Sequence, residues 1–286
     1  MNRMWSCSLV FVLVWCGYMI HVHQADAEQV IVGIDLPHTK LTSMDELDHG
    51  LWDGLLKRYV DSRGNVAYQQ WLGSVEDRRG LDKYLARLSV AGPQLKADKS
   101  AQIAFWINAY NAVTVRAIHH VYPTTSIRNH TAKVIGFNIW KDVLLFVGGQ
   151  KYTLQQMEHE LLRRMDEPRI HFSIVCASRG CPRLLNESYT AEKLEEQLTK
   201  ATREFFADRR HFRFDPSGKR MQMSAILDWY KEDFGDEPAA VLDTISPYLP
   251  TLWARRAAER NEVVISYLPY DWLLNDQATA RNLSRQ

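Results

Sequence analysis

The chain is poor in cysteine. Four of its 286 residues are cysteines, and two of these, Cys7 and Cys16, fall in an apolar N-terminal stretch, leaving Cys176 and Cys181 for the rest. Two thiols cannot staple a fold, so a disulfide scaffold is excluded and an apolar core must hold the chain together unaided. An excess of one charge sign is also missing: 35 lysines and arginines stand against 34 aspartates and glutamates. With so small a net field, nothing steers the protein onto nucleic acid or an anionic surface. Past the N-terminus, no apolar run approaches the roughly 20 residues that a membrane-spanning helix requires. Internal repeats, low-complexity tracts and Gly/Ser/Pro-rich linkers are lacking too, which excludes repeat arrays and favours one domain.

What is present begins with a targeting signal. Arg3 gives a short positive start, 5–20 is apolar, a polar 21–24 follows, and Ala25-Asp26-Ala27 fits a small-residue cleavage site. The expectation is a signal peptide over 1–27 and export to the periplasm or the exterior, with retention as an uncleaved anchor as the alternative. Bulky Trp15 directly before Cys16 argues against lipid attachment at that thiol. Residues 28–42 are weakly patterned and read as a loosely ordered leader, and 43–286 as a single domain.

Apolar residues recur every fourth position at Leu47, Leu51, Leu55 and Tyr59, the mark of a helix, after Ser43, a residue type suited to N-capping. Residues 81–88 read as a short helix stopped by Gly92-Pro93. The strongest helix spans 98–122 and is apolar on nearly all sides, which places it at the centre of a fold rather than on its surface. Residues 143–154 read as a hairpin turning at Gly148-Gly149. A helix over 153–165, a strand over 170–176, a helix over 191–206, a hairpin around 216–218, short helices and a last strand over 263–267 complete the pattern. This mixture predicts an α+β fold: a single domain in which a central apolar helix packs with a mostly antiparallel sheet.

Six stretches carry a resemblance: YVDSRGNVAYQQW, AFWINAYNAVTVRAI, MEHELLR, PRIHFSIVCASRGCPRL, ILDWYKEDF and YLPYDWLLN. In order and spacing, from about Leu47 to Asn275, the chain resembles the domain-of-unknown-function 547 family. The resemblance implies that Glu158, His159, His171 and Cys176 belong to the family signature, whose pattern is looser at Cys181. It also suggests a site, and a fold, of the cysteine-peptidase kind. One departure is Ala67, where the family often has an acid, so no charge role is carried over to that position.

The chemistry is concentrated between 158 and 181. Cys176 ends the expected strand beside small residues, a corner from which a thiol can project into a cleft as a nucleophile. To react near neutral pH it needs a histidine or a helix N-terminus that lowers its pKa. His171 lies five residues earlier; on a straight strand that is roughly 16 Å away and on the opposite face. His159, on the preceding helix, is free of that objection, and Glu158 is about 100° around the same helix. Cys176, one of the two histidines and Glu158 therefore form a candidate triad, set against the plainer readings of a buried thiol, a surface helix face and a hydrogen-bonded strand histidine. Cys181 allows a disulfide with Cys176 in an oxidising compartment. A zinc site from His159, His171, Cys176 and Cys181 matches no familiar ligand spacing, so no metal or cofactor is expected. Asn108 and Asn111, three apart on one helix face, are candidates to touch substrate, orient a catalytic group or simply tie the helix to loops. Arg179 is a candidate for holding a carboxylate.

These readings converge on an exported cysteine-dependent hydrolase, peptidase- or amidase-like, acting on a small peptide or amide, with thiol tripeptides such as glutathione as the most testable substrates. Two alternatives stay open: a non-catalytic ligand-binding or assembly module, and a thiol–disulfide redox element using Cys176 and Cys181. No nucleic-acid partner is expected, and no membrane partner after signal removal.

Overall fold

A helix without a polar face must be surrounded on all sides, and 99–121 is. In a computed structural model of the protein, which describes residues 29–36, 41–132, 136–217 and 219–283, nearly every residue from Ala101 to His119 is buried. The signal sequence read over 1–27 lies outside the described residues, as does Gly218. In chain order, the first half is strand β1 (Val30–Val32), helices α1 (Gly50–Tyr59), α2 (Tyr68–Gly73), α3 (Val75–Leu88) and α4 (Lys99–Val121), the turn α5 (Ile139–Asp142), and strands β2 (Val143–Val147) and β3 (Gln150–Thr153). The second half is α6 (Leu154–Gln156), α7 (Leu194–Ala207), β4 (Phe212–Asp215), β5 (Arg220–Ser224), α8 (Ile226–Trp229), α9 (Pro238–Ile245), α10 (Leu252–Glu259), β6 (Val264–Leu268) and α11 (Gln277–Leu283).

The fold is α+β in a single domain, but the expected mostly antiparallel sheet is replaced by two small mixed sheets. One has the order β1-β2-β3 and the other β4-β5-β6, and each combines one antiparallel hairpin with one parallel neighbour. The hairpins are local and show in the sequence; the parallel strands arrive from far along the chain. Strand β1 lies inside the segment read as a loosely ordered leader: Val30–Val32 pairs with Val143, Leu144 and Leu145, and Val32 is buried. A three-residue strand has too short a pattern to be told from a loop by periodicity.

Two apolar cores result. The larger surrounds α4 and collects α1, α3, β2, Met157, Ile170 and Ile174. The smaller is built from Phe172, Phe205, Phe206, Met221, Met223, Phe234 and the helices that follow. Ile170 and Phe172 thus point into different cores, and Tyr270 packs against both. The segment between them is not the strand expected over 170–176. Pro168 opens a 3-10 turn over Pro168–Phe172, capped by the Glu167 side chain on the Arg169 amide, and the chain runs irregularly from there to Cys176. His171 and Cys176 are therefore not placed on opposite faces of a strand.

Candidate functional site

The cleft forms where the two cores meet. Its volume is about 330 Å³, and Glu158, His159, His171, Cys176 and Cys181 all line it, with Tyr110, Tyr230, Tyr270 and several tryptophans.

The thiol corner is positioned by backbone that the C-terminal motif grips. Ala177 takes φ +61°, a left-handed conformation that is uncommon for a residue with a side chain and often found at functional corners. It is held there by Asn275 N donating to Ala177 O at 3.0 Å, with Arg179 N bonded to Leu273 O and Gly180 N to Asp271 O, each at 2.8 Å. A Cβ at Gly180 would stand 2.9 Å from Asp271 N and from the Tyr270 ring, so only glycine permits this approach. Asn111 secures the preceding segment: its side chain donates to Ser173 O at 3.0 Å and accepts from Val175 N at 2.9 Å, the bonds a neighbouring strand would otherwise make.

Both cysteines are free; the disulfide allowed by their spacing is not formed. Cys176 is half-buried at the cleft wall and Cys181 is buried beside it. Tyr270 OH lies 3.4 Å from Cys176 Sγ, 3.1 Å from Cys181 Sγ and 2.8 Å from Ser178 Oγ. Cys181 Sγ also accepts from Cys176 N at 3.0 Å and from Ser178 Oγ at 3.3 Å. Burial alone would push the Cys181 thiol up, but hydrogen bonds from Cys176, Ser178 and Tyr270 outweigh it and draw the group down to about 7. The hydrogen bond to Cys181, and then burial, hold the Cys176 thiol well above its ordinary value. Cys181 is thus the more acidic sulfur and Cys176 the more accessible one.

The expected helix over 153–165 is broken. Thr153 and Gln156 form a capping box on α6, Met157–Leu161 widens into a π-type turn and Leu162–Met165 tightens to 3-10. Such π turns recur at functional sites because they re-aim side chains. Here the turn buries Glu158 and leaves His159 exposed. Glu158 does not orient a histidine. It accepts from Tyr110 OH at 3.1 Å and from Tyr230 OH in a very short contact. Burial raises both phenols well above their ordinary range, so they stay protonated and donate.

The histidines are held by other groups. His171 Nε2 donates to Asp233 Oδ2 at 2.6 Å, and its ring stacks on Tyr230 with centroids 4.2 Å apart. Arg163 clamps the same carboxylate through Nε at 2.6 Å and Nη2 at 2.9 Å, and donates through Nη1 to Nδ1 of His159 at 3.1 Å. Burial alone would raise Asp233; the bonds from His171 and Arg163 reverse this and set it at about 2. Among the described residues, no imidazole is hydrogen-bonded to either sulfur, so the candidate triad of Cys176, a histidine and Glu158 is not assembled as drawn. Its members share one cleft, each with its own partners.

Three candidates for substrate contact lie elsewhere. Asn108 is buried and bonded to the backbone of Tyr189 through both ends of its amide, at 2.7 and 3.0 Å. Asn111 acts on the thiol segment, as above. Arg179 points away from the cleft, 3.5 Å from Asp271. Among the described residues, no group of three or more His, Cys, Asp or Glu side chains could hold a metal ion.

Sequence reasoning missed Tyr110, Tyr230, Asp233, Tyr270 and Ser178 as site residues. All five were visible as polar or phenolic positions inside the quoted stretches, in YNAV, CASRGC, DWYKEDF and YLPYDW; nothing local says which cleft they share. Residues 94–206 match the model of a family described as "Protein of unknown function, DUF547", in agreement with the resemblance read from the motifs. No curated protein matches the chain, and no solved structure does. The matched segment supplies Tyr110, Glu158, His171 and both thiols, whereas Tyr230, Asp233 and Tyr270 come from beyond it.

Proposed function

We propose from the cleft's own chemistry that the protein is an exported cysteine-dependent hydrolase of a small peptide or amide; the family whose model residues 94–206 match is described without an activity. The observation that carries this reading is the pair of free thiols in one hydrogen-bonded shell, opening through Cys176 onto a cleft that His171 also lines. Cys181 enters the step as the thiolate; Cys176 attacks the amide carbonyl, forming a C–S bond while its proton passes to the adjacent Cys181 sulfur. Ser178 and Tyr270 hydroxyls stand within hydrogen-bond range of the attacking sulfur and receive the developing oxyanion. The C–N bond then breaks, the amine leaves with that proton, and water cleaves the thioester to return Cys176 as a thiol. His171, held by Asp233 through Nε2 and lining the same cleft, is the base assigned to activating that water. Glu158 fixes the two tyrosines of the opposite wall.

The adjacency of the thiols favours one second reading, a thiol–disulfide couple, because an acidic sulfur beside a second thiol is the arrangement that exchanges disulfides. Iodoacetamide labelling without reductant, read by mass spectrometry, separates the two. The hydrolase keeps Cys176 and Cys181 free in the exported protein and hydrolyses members of a peptide and amide panel that includes glutathione, with Cys176→Ala inactive. A protein that labels only after reduction belongs to the redox reading, and equal turnover by wild type and Cys176→Ala removes the hydrolase.

A further inference from the structure

The ring that reaches the sulfurs also shapes the aromatic wall of the cleft. The hydroxyl of Tyr270 touches both thiols, and its ring belongs to an aromatic group: it stands 4.8 Å from Trp229 and 4.5 Å from Trp272, which are themselves stacked at 5.7 Å and 23°. Trp229 is 47% exposed although it lines the cleft. Large apolar surface left open in a concave site marks a ligand contact. Arg128 sits 5.2 Å over the Trp272 ring, so a cation already occupies part of this aromatic surface and a cationic ligand would be repelled.

Charge narrows the choice further. Glu158 is enclosed by two tyrosines, His171 is paired with Asp233, and His159 accepts from Arg163. Lys141 of α5 also lines the cleft, is exposed, and forms no ion pair with any described residue. It is the one lysine or arginine among the described lining residues.

Resting on the hydrolase reading, we propose that the substrate is an anionic amide bearing a flat ring close to the scissile bond, the ring packing on Trp229 and Trp272 and a carboxylate meeting Lys141. An aromatic side chain and a sugar ring both present such a face. Binding decides the proposal without turnover, so Cys176→Ala protein is used with four probes in equilibrium dialysis. N-acetyl-phenylalanyl-glycine carries ring, amide and carboxylate; N-acetyl-alanyl-glycine lacks the ring; N-acetyl-phenylalanyl-glycinamide lacks the carboxylate; N-acetylmuramoyl-alanine replaces the aromatic ring with a sugar.

The expected result is that at least one ring-bearing acid binds about tenfold or more tighter than the alanyl analogue, as stacking on an indole implies. Trp229→Ala abolishes that preference and Trp229→Phe restores most of it. Lys141→Gln removes the preference for the acid over the glycinamide and leaves the ring preference. The better of the phenylalanyl and muramoyl probes identifies the source of the ring. Equal binding of ringed and ringless acids, or a ring preference untouched by Trp229→Ala, overturns the proposal. Absence of amide turnover by wild-type protein would remove the hydrolase reading, yet the binding order would still decide this one.

Discussion

Tyr270 is the residue on which the thiol chemistry turns. Its hydroxyl lies within hydrogen-bond range of both sulfurs, and burial, followed by the neighbouring sulfur charges, keeps its own phenol protonated. A hydrogen bond to a charged group is worth about 1.5–3 kcal/mol, and a pKa unit corresponds to about 1.4 kcal/mol. Tyr270→Phe therefore raises the midpoint of Cys181 alkylation by about one pH unit. Ser178→Ala, removing one of the other donors, moves it the same way by a similar amount. The measurement is the rate of iodoacetamide labelling of each cysteine against pH; a midpoint unmoved in both variants sinks the hydrogen-bonded account. The chemistry of these residues was half legible in the sequence. Cys176, Cys181, Glu158 and His171 are of reactive types in a short span, and the cleft gathers them. Their partners were not legible, because Tyr270 and Asp233 are dozens of residues away, and only tertiary packing brings a distant phenol to a thiol.

Among the elements, the segment 170–176 teaches most. Its alternation of Ile170, Phe172 and Ile174 is the pattern of a strand. The alternation is real, but it divides the side chains between two cores rather than between a core and solvent. Pro168, which favours the first turn of a helix, and the Glu167 cap then decide the local backbone. Asn111 stands in for the missing strand neighbour. Asn111→Ala leaves a buried carbonyl and a buried amide unpaired and costs about 2–4 kcal/mol. Asn108→Ala should cost a similar amount, since it breaks two bonds to Tyr189. The two variants part on function: Asn111→Ala alters Cys176 labelling and any turnover, while Asn108→Ala leaves the labelling rate within about twofold once temperature is set for equal stability. Urea melts and labelling of both proteins check this, and indistinguishable labelling would reduce Asn111 to a structural tie. By contrast α4 was legible nearly to the residue, because its all-round apolar surface admits only a central position.

At the scale of the whole molecule, the cleft depends on two cores closing on one another, so conditions that loosen either core open the site. Acid is one. Burial is the first cause that lowers His49 to about 4, His119 to about 3 and His211 to about 4. The unfolded chain binds those protons near pH 6.5 and the folded chain does not. The stabilisation from excluding these protons is thus fully present above pH 6.5 and is lost as pH falls toward 4, by about 1–2 kcal/mol for each imidazole at pH 5. Asp233 adds to this at lower pH. Its folded value of about 2 lies below the usual carboxylate range, so its contribution holds above pH 4 and fades as pH falls toward 2. His211 stacks on Phe205 at 4.2 Å in the smaller core, a position that accepts a second phenylalanine ring. His211→Phe should therefore narrow the difference in melting temperature between pH 7 and pH 5, while His120→Phe, at an exposed position, should not. Calorimetry at the two pH values tests both, and a melting temperature that is level between them in the wild type would mean that the buried imidazoles open to water long before the cores separate.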